Sequence, residues 1–255
     1  IITSYSDIAE PARDWYVRPP GNSYGAGDGT SYVDAWNTIT DVVFGNGGVQ
    51  AGDNLYVCGE HVYSDMARWK IGGSGITDDY PITIRMDCHE KNPSYEEGVL
   101  YGYYLSEDKD VEWEGPDANG VYTTTSLGWV RSYIQDIQGK SHVLLDKVST
   151  TSVGAGEWYR DSTSGVTYLK TTDGGSVSDR IYYQTSDHHR IDMETSSHIR
   201  FYKCNIYGFE IRNTAPSDEL APDHITFDNC DIGYGGTLFE ISEGMDFWTI
   251  RNSEL

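Results

Sequence analysis

The sequence predicts an all-β chain wound into a solenoid, and two observations support this prediction. The 255 residues include 28 Gly and 20 Tyr, a composition that suits short strands joined by tight turns. A nine-residue pattern also recurs three times, as HIRFYKCNI (198–206), HITFDNCDI (224–232) and FWTIRNSEL (247–255). Because each copy places apolar residues in the same slots, we expect the copies to stack on one another as successive coils.

The repeated pattern carries apolar residues at i, i+2, i+5 and i+7, which predicts two inward residues, a bend, and two inward residues on the next strand. The stretch 142–150, HVLLDKVST, fits the same pattern and is predicted to be a further copy. Asn229 and Asn252 share the bend position, where Asn tolerates left-handed backbone angles. Cys204 and Cys230 share an inward slot, so we expect stacked core residues there rather than a catalytic thiol.

The first 50 residues are predicted to cap the solenoid, whose first coil would otherwise expose its apolar core. Apolar residues from Ala35 to Phe44 have roughly helical spacing, which predicts a short cap helix. Residues 51–255 then form one continuous domain of coils, with the first strands in 51–63 and 80–88. The stretch 156–172 contains two strand-like runs about a Ser-Gly turn, which predicts a β-hairpin inserted into one coil.

The charge of the chain excludes two classes of partner. Forty acidic residues against 18 basic residues give a formal net charge of −22, which repels nucleic acid and anionic membrane surfaces in the absence of a bridging cation. No run of about 18 apolar residues is present, so we expect no membrane span. Because the chain opens on Ile1 without Met and stops within a strand pattern at Leu255, we expect a processed form or a fragment.

The four cysteines show no C-x-x-C spacing, which argues against a zinc knuckle or a thioredoxin-type redox pair. They are Cys58, Cys88, Cys204 and Cys230. Buried free thiols are the favoured interpretation, and two disulfides remain the alternative.

The stretch from Trp15 to Ile39, followed by 51–63, resembles the opening of the right-handed parallel β-helix proteins of the pectate-lyase-like superfamily. The residues that carry this resemblance are Gly27, Asp28, Gly29, Thr30, Ala35, Trp36, Ile39, Ala51, Gly52, Asp53, Tyr56, Val57 and Gly59. The resemblance implies a right-handed parallel β-helix over most of the chain. It does not imply one activity, because the superfamily includes polysaccharide lyases, glycoside hydrolases, epimerases, tailspikes and surface proteins without known catalysis.

Charged residues just outside the core slots are the catalytic candidates. They are Arg200, Lys203, Asp228 and Asp231, with Arg251 and Glu254 in the last repeat. A lyase needs a base for the proton α to a uronate carboxyl and a cation for the anion that develops. A hydrolase needs two carboxylates roughly 5 to 9.5 Å apart. The alternative interpretation is ordinary surface charge on a solenoid.

The segment SEDKDVEWEG (106–115) alternates carboxylates at period two and is the candidate calcium site. Its candidate ligands are Asp108, Asp110 and Glu112, with Glu114 beyond them. On an extended strand these side chains face one way, and grouped carboxylates suit Ca²⁺. The alternative is a solvated acidic edge that discourages aggregation.

Aromatic and imidazole side chains complete the set of candidates. Tyr101, Tyr103 and Trp113 are candidates for stacking on sugar rings. His188 and His189 are adjacent, so a strand would point them to opposite faces and they cannot easily serve one site. His198 and His224 recur at the start of the repeat, which favours a stacking or turn device.

The sequence therefore predicts a secreted carbohydrate-active β-helix, either a polysaccharide lyase or a glycoside hydrolase, with Ca²⁺ as the candidate cofactor. The net charge of −22 disfavours a polyanionic substrate unless Ca²⁺ bridges it, so a neutral or weakly charged glycan is an equal alternative. We expect it at an extracellular, cell-surface or virion-surface location, with a polysaccharide or cell-surface glycan as partner. The alternative functions are a non-catalytic carbohydrate-binding or adhesion module, a tailspike-like module, and a structural subunit that self-associates through an open C-terminal coil.

Overall fold

The computed structural model of the chain describes residues 12–63, 67–102, 104–105, 111–127, 130–135, 143–177, 181–185, 189–212, 222–233, 239–240 and 247–255. Within these residues the structure is dominated by short strands. The helical elements described are one 3₁₀ helix, Ile39–Asp41, and one α-helix, α1, Cys88–Lys91.

The strands are, in chain order, β1 Asp14–Val17, β2 Asn54–Val57, β3 Glu60–Val62, β4 Arg68–Lys70, β5 Ile82–Arg85, β6 Val99–Tyr101, β7 Tyr104–Leu105, β8 Tyr122–Thr124, β9 Val130–Gln135, β10 Val143–Leu144, β11 Asp146–Lys147, β12 Glu157–Arg160, β13 Thr167–Lys170, β14 Ile181–Thr185, β15 His189–Asp192, β16 Ile199–Tyr202, β17 Asn205–Tyr207, β18 Phe209–Arg212, β19 Ile225–Asp228, β20 Asp231–Gly233, β21 Phe239–Glu240 and β22 Thr249–Arg251. The predicted all-β character is confirmed.

Three of the sheets are parallel. Sheet 1 has the order β1-β2-β5-β16-β19-β22, sheet 2 the order β20-β17-β6-β3, and sheet 3 the order β21-β18-β15-β4. From β2 onward the chain visits sheets 1, 2 and 3 in that cycle, and β7–β14 are inserted between β6 of sheet 2 and β15 of sheet 3. Among the described residues, no helix has the length and apolar character needed to cross a membrane.

The three repeated segments stack in register, as the sequence predicts. Ile199 pairs with Ile225, and Phe227 pairs with Ile250, on neighbouring parallel strands of sheet 1. The rings of Phe201 and Phe227 are both buried and stack at 4.6 Å. Burying such a side chain contributes roughly 1.5 to 3 kcal/mol, so each repeat is stabilised by its neighbour.

The inserted unit differs from the prediction in two ways. The predicted hairpin is present as the antiparallel pair β12–β13, but it belongs to a four-stranded sheet with β11 and β8. The predicted repeat copy at 142–150 is wrong, because β10 pairs antiparallel with β9 and β11 pairs with β12. The physical reason is that any two short strands separated by a bend give the same apolar spacing.

The predicted cap helix is also wrong. Only Ile39–Asp41 forms a 3₁₀ turn in that segment, because five of the six residues in 38–43 are β-branched and lower helix propensity. The segment still covers apolar residues of the core: Ala35 is fully buried, and Trp36 stacks on Trp15 at 5.4 Å.

The cysteines divide into one disulfide and two thiols. Cys58 and Cys88 form a disulfide with their Cα atoms 5.6 Å apart, so the favoured interpretation of four free thiols is wrong for this pair. The covalent link joins the residue after β2 to the start of α1. Cys204 and Cys230 are free and buried, as the shared inward slot predicts.

Candidate functional site

The outer face of sheet 1 carries a continuous row of aromatic and charged side chains. Alternation along each strand sends apolar residues inward and their neighbours outward. The strand register aligns the outward residues across the sheet in the order Tyr16, Tyr56, Arg85, Tyr202, Asp228 and Arg251. At the β1 and β2 end the row is buried, whereas Arg85 and Tyr202 are partly exposed.

Cations surround the ring of Tyr202. The Arg200 and Arg85 guanidinium carbons lie 4.7 and 4.9 Å from the ring centroid, and the Lys203 ammonium lies 5.5 Å from it. Such contacts are attractive because the ring face is electron-rich. Each of these three cations is also paired with a carboxylate: Arg85 with Asp87, Lys203 with Glu90 and Arg200 with Asp228.

Asp228 lies at the centre of this face and accepts hydrogen bonds from neighbouring side chains. Its Oδ2 accepts hydrogen bonds from Arg251 Nη2 at 2.9 Å and from Arg200 Nη2, and its Oδ1 accepts one from Asn252 Nδ2 at 3.2 Å. The Asp228 side chain is only 8% exposed. The hydrogen bond from Arg251, followed by those from Arg200 and Asn252, outweighs burial and lowers the pKa of Asp228 to about 2. The carboxylate thus stays ionised and fixes both guanidiniums.

A groove of about 260 Å³ opens beside this centre. Its lining residues are Asp78, Pro81, His198, Ile199, Arg200, His224, Thr226, Thr249 and Arg251. Three successive strands of sheet 1 contribute to the lining, and Asp78 comes from the loop before β5. Since the volume is slightly below the roughly 300 to 1,000 Å³ of drug-sized pockets, the groove suits one sugar unit or a comparable polar group.

Two histidines stand at one end of the groove. His198 and His224 directly precede β16 and β19, and their rings lie 4.4 Å apart. Asp78 Oδ1 lies 2.9 Å from His198 Nδ1. One ligand atom from each of these three residues lies within 4.8 Å of the other two. We call Asp78, His198 and His224 the imidazole cluster.

The structure brings together two of the four predicted catalytic residues. Arg200 lines the groove, and Asp228 lies against it through its hydrogen bond to Arg200. Lys203 follows the other end of β16, where its ammonium binds both carboxylate oxygens of Glu90 at 2.6 Å. Asp231 lies on sheet 2, where it accepts a hydrogen bond from the Tyr207 hydroxyl at 2.7 Å.

The predicted sugar-stacking residues are not assembled into one surface among the described residues. Tyr101 is 8% exposed and stacks on Tyr207 at 5.6 Å. Trp113 packs against the apolar core of the inserted unit. Tyr103 lies outside the described residues.

The predicted calcium ligands are mostly beyond the described part of the chain. Asp108, Asp110 and His188 lie outside the described residues. Glu112 and Glu114 are described and exposed. His189 is fully buried and accepts a hydrogen bond from the Ala67 amide at 2.9 Å, which agrees with a structural role.

A larger cavity of about 570 Å³ lies within the inserted unit, between the 114–123 segment and Val153. Tyr168 and Asp117 are among its lining residues. Asp117 accepts hydrogen bonds from the Val121 and Asn119 amides, which lower its pKa. The Asp117 carboxylate is therefore committed to shaping a loop, and Glu114 and Tyr168 are the other ionisable side chains that line the cavity.

Sequence reasoning missed the imidazole cluster. The signal for two of its members was visible, since His198 and His224 occupy the same slot of the repeat. Asp78 had no such signal, because it lies 120 residues before His198 in the chain and outside the repeated segments.

Comparison of the chain with protein-family models, with curated proteins and with solved structures gives no match. The function therefore has to be argued from the groove and the residues around it.

Proposed function

We propose that this chain is a right-handed parallel β-helix of pectate-lyase-like type. The support is the cycle in which the strands visit the three parallel sheets and the recurrence of left-handed backbone angles at equivalent bends. Each visit returns the chain to sheet 1 one strand further along, which is the order that a coiled chain produces.

For this β-helix we propose polysaccharide lyase activity on an acidic glycan, with the groove as the substrate site. One observation carries the proposal: two arginines and an imidazole–carboxylate pair line the same cavity. Arginine recognises carboxylates through planar, charge-assisted hydrogen bonds. Arg200 Nε is buried and has no hydrogen-bond partner among the described residues, and a carboxylate beside Arg200 would supply one.

In the proposed elimination, the arginines and the imidazole cluster have different roles at the two ends of the groove. Arg200 and Arg251 neutralise the uronate carboxyl and the enolate-like anion that forms when the α proton leaves. The imidazole cluster supplies the group that accepts this proton. The bond between the β carbon and the glycosidic oxygen then breaks, and the oxygen leaves with the bonding electrons and takes up a proton from water. The other product is an unsaturated uronate, which absorbs ultraviolet light.

Lyase chemistry fits this groove better than hydrolysis. A glycoside hydrolase needs a carboxylic acid that remains protonated and so has a raised pKa. The arginines instead lower the pKa of Asp228 to about 2, so this residue is a poor proton donor. The carboxylate that lines the groove belongs to Asp78, and Asp78 is paired with His198.

Secretion, calcium dependence and self-association stay part of the proposal. The Cys58–Cys88 disulfide favours an oxidising compartment outside the cell. Calcium depends on Asp108 and Asp110, which lie beyond the described residues. For self-association, Phe247 and Leu255 at the β22 end are 69% and 64% exposed.

The test compares Arg251→Gln with a charge-matched control, Lys70→Gln. Lys70 lies on sheet 3, pairs with Glu194 and is 66% exposed, so it loses the same charge away from the groove. The chain is incubated with polygalacturonate, alginate and a neutral glucan, with and without Ca²⁺. We expect ultraviolet absorbance to grow with an acidic polymer, and the rate to fall roughly tenfold or more in Arg251→Gln because a charge-assisted hydrogen bond is lost.

Other outcomes of this test would indicate a different function. Reducing ends without absorbance would establish a hydrolase. Binding of an acidic polymer that weakens in Arg251→Gln, without turnover, would establish the second candidate, a non-catalytic glycan-binding module. No turnover and no binding by the folded chain would overturn both.

A further inference from the structure

We infer that the imidazole cluster is a binding site for a divalent transition-metal ion of the zinc class. Its three ligand atoms already lie within 4.8 Å of one another, and the Asp78–His198 edge is 2.9 Å. A tetrahedral ion with bonds of about 2.0 to 2.1 Å separates its ligand atoms by roughly 3.3 Å. Small side-chain rotations are therefore enough to bring the three groups onto one ion.

The donor set selects the metal class. Two imidazole nitrogens and one carboxylate oxygen suit Zn²⁺, Ni²⁺, Cu²⁺ or Fe²⁺, whereas Ca²⁺ prefers six to eight oxygens. Three protein ligands would leave at least one coordination position for water or a substrate atom, as in catalytic zinc sites. With the ion bound, that water would take the place of a free imidazole as the proton acceptor in the proposed elimination. That position is next to the groove, since all three residues line it.

A second carboxylate lies beside one ring. Asp223 Oδ2 lies 3.3 Å from His224 Nδ1. Histidines that bind metal commonly donate their other ring N–H to a carboxylate, which fixes the tautomer and the ring direction. With Nδ1 directed at Asp223, His224 would present Nε2 to the ion.

Ring stacking alone does not explain the pair of histidines. Phe247 occupies the equivalent slot before β22 and stacks on His224 at 4.7 Å. The three residues also share positive φ angles of 53°, 51° and 59°. Because Phe satisfies both the stack and the backbone in the third repeat, neither feature demands imidazole in the other two.

The positive charges of the two arginines near the imidazole cluster are largely neutralised by carboxylates. Arg200 and Arg251 line the same groove, but both are hydrogen-bonded to the ionised Asp228. Asp78 and Asp223 add two carboxylates beside the rings. The local balance therefore permits a cation.

The test measures metal binding directly and does not use turnover. The full chain is stripped with chelator and titrated with Co²⁺, whose visible absorption reports coordination, and Zn²⁺ then competes. We expect about one Co²⁺ per chain, displaced by Zn²⁺. His224→Phe copies the residue at the third slot, so it keeps the stack, and we expect it to weaken Co²⁺ binding at least roughly tenfold.

The matched control is His89→Phe, which changes an exposed histidine of α1 and is expected to bind Co²⁺ like the parent chain. Asp78→Asn is the second cluster variant, and its side chain is 72% exposed, so folding is retained. Absence of a Co²⁺ band in the parent chain, or equal binding by the parent, His224→Phe and Asp78→Asn, would overturn the site. Binding that fails while an acidic glycan is still cleaved would reject the metal and leave the proposed lyase intact.

Discussion

At the scale of single residues, Asp228 positions the two arginines of the candidate site. It lies on β19, whereas its partners Arg200 and Arg251 lie on β16 and β22. One carboxylate therefore joins three neighbouring strands on the outer face of sheet 1. Removing its charge leaves the Arg200 and Arg251 guanidiniums facing each other without a counter-charge. Asp228 itself is only 8% exposed, so this loss is more costly than that of a fully exposed ion pair.

Asp228→Asn is expected to destabilise the protein by roughly 2 to 3 kcal/mol at neutral pH, the free energy that corresponds to its pKa shift. The folded-state pKa is lowered from 3.8 to about 2, so the stabilisation is present above 3.8 and is lost as pH falls through about 2. Urea unfolding of the parent and Asp228→Asn across this range measures the difference. A gap that stays constant down to pH 2 would contradict the ionised role.

Residue patterns in the sequence predicted part of this site and could not predict the rest. The outward position of Arg200 and Asp228 followed from alternation within the repeat. The mutual hydrogen bonds also needed the register between strands, which places Tyr202 opposite Asp228 and brings Arg200 within reach. The sequence could not predict the place of Asp78, because this residue lies in a loop outside the repeated segments and has no equivalent position in another repeat.

At the scale of the element, the repeated bends are the feature that shapes the coils. Lys203, Asn229 and Asn252 follow the sheet 1 strands with φ angles of 51°, 60° and 53°. These left-handed angles turn the chain from sheet 1 toward sheet 2. The predicted tolerance of Asn at this position is therefore confirmed at Asn229 and Asn252, and Lys203 occupies the same slot.

Substitutions at Asn229 separate backbone strain from side-chain contacts, because the residue is exposed. Asn229→Val is expected to destabilise the protein by about 1 to 2 kcal/mol, since a left-handed angle is costly for residues with a Cβ and most costly for β-branched ones. Asn229→Gly is the matched control and should change stability by only a few tenths of a kcal/mol. Equal losses in the two variants, measured by chemical denaturation, would show that the amide contacts matter more than the backbone.

Element boundaries were predictable where spacing and turn residues agreed, and unreliable elsewhere. The strands within 51–63 and 80–88 appear as β2, β3 and β5, because Gly and Pro mark their ends. A helix was wrongly predicted in the cap segment, because its apolar residues have helical spacing while its β-branched residues disfavour a helix.

At the scale of the whole molecule, stability is distributed between neighbouring strands. Each strand of sheet 1 pairs only with the strands beside it, so disturbances in one coil act mainly on the next. The sequence could predict this stacking from its repeats but could not predict the covalent link, because spacing alone does not show which cysteines approach each other.

The Cys58–Cys88 disulfide closes a sequence separation of 30 residues, and its loss is expected to cost roughly 3 to 4 kcal/mol by chain entropy. The double variant Cys58→Ser/Cys88→Ser should melt at a lower temperature than the parent, and reductant should lower the melting temperature of the parent alone. Hydrogen exchange should accelerate in β2, β5 and α1 while β19 and β20 stay protected, because the loosened coil lies several strands away. Faster exchange spread evenly over all coils would show instead that the sheets unfold as one cooperative unit and that the link stabilises the whole molecule.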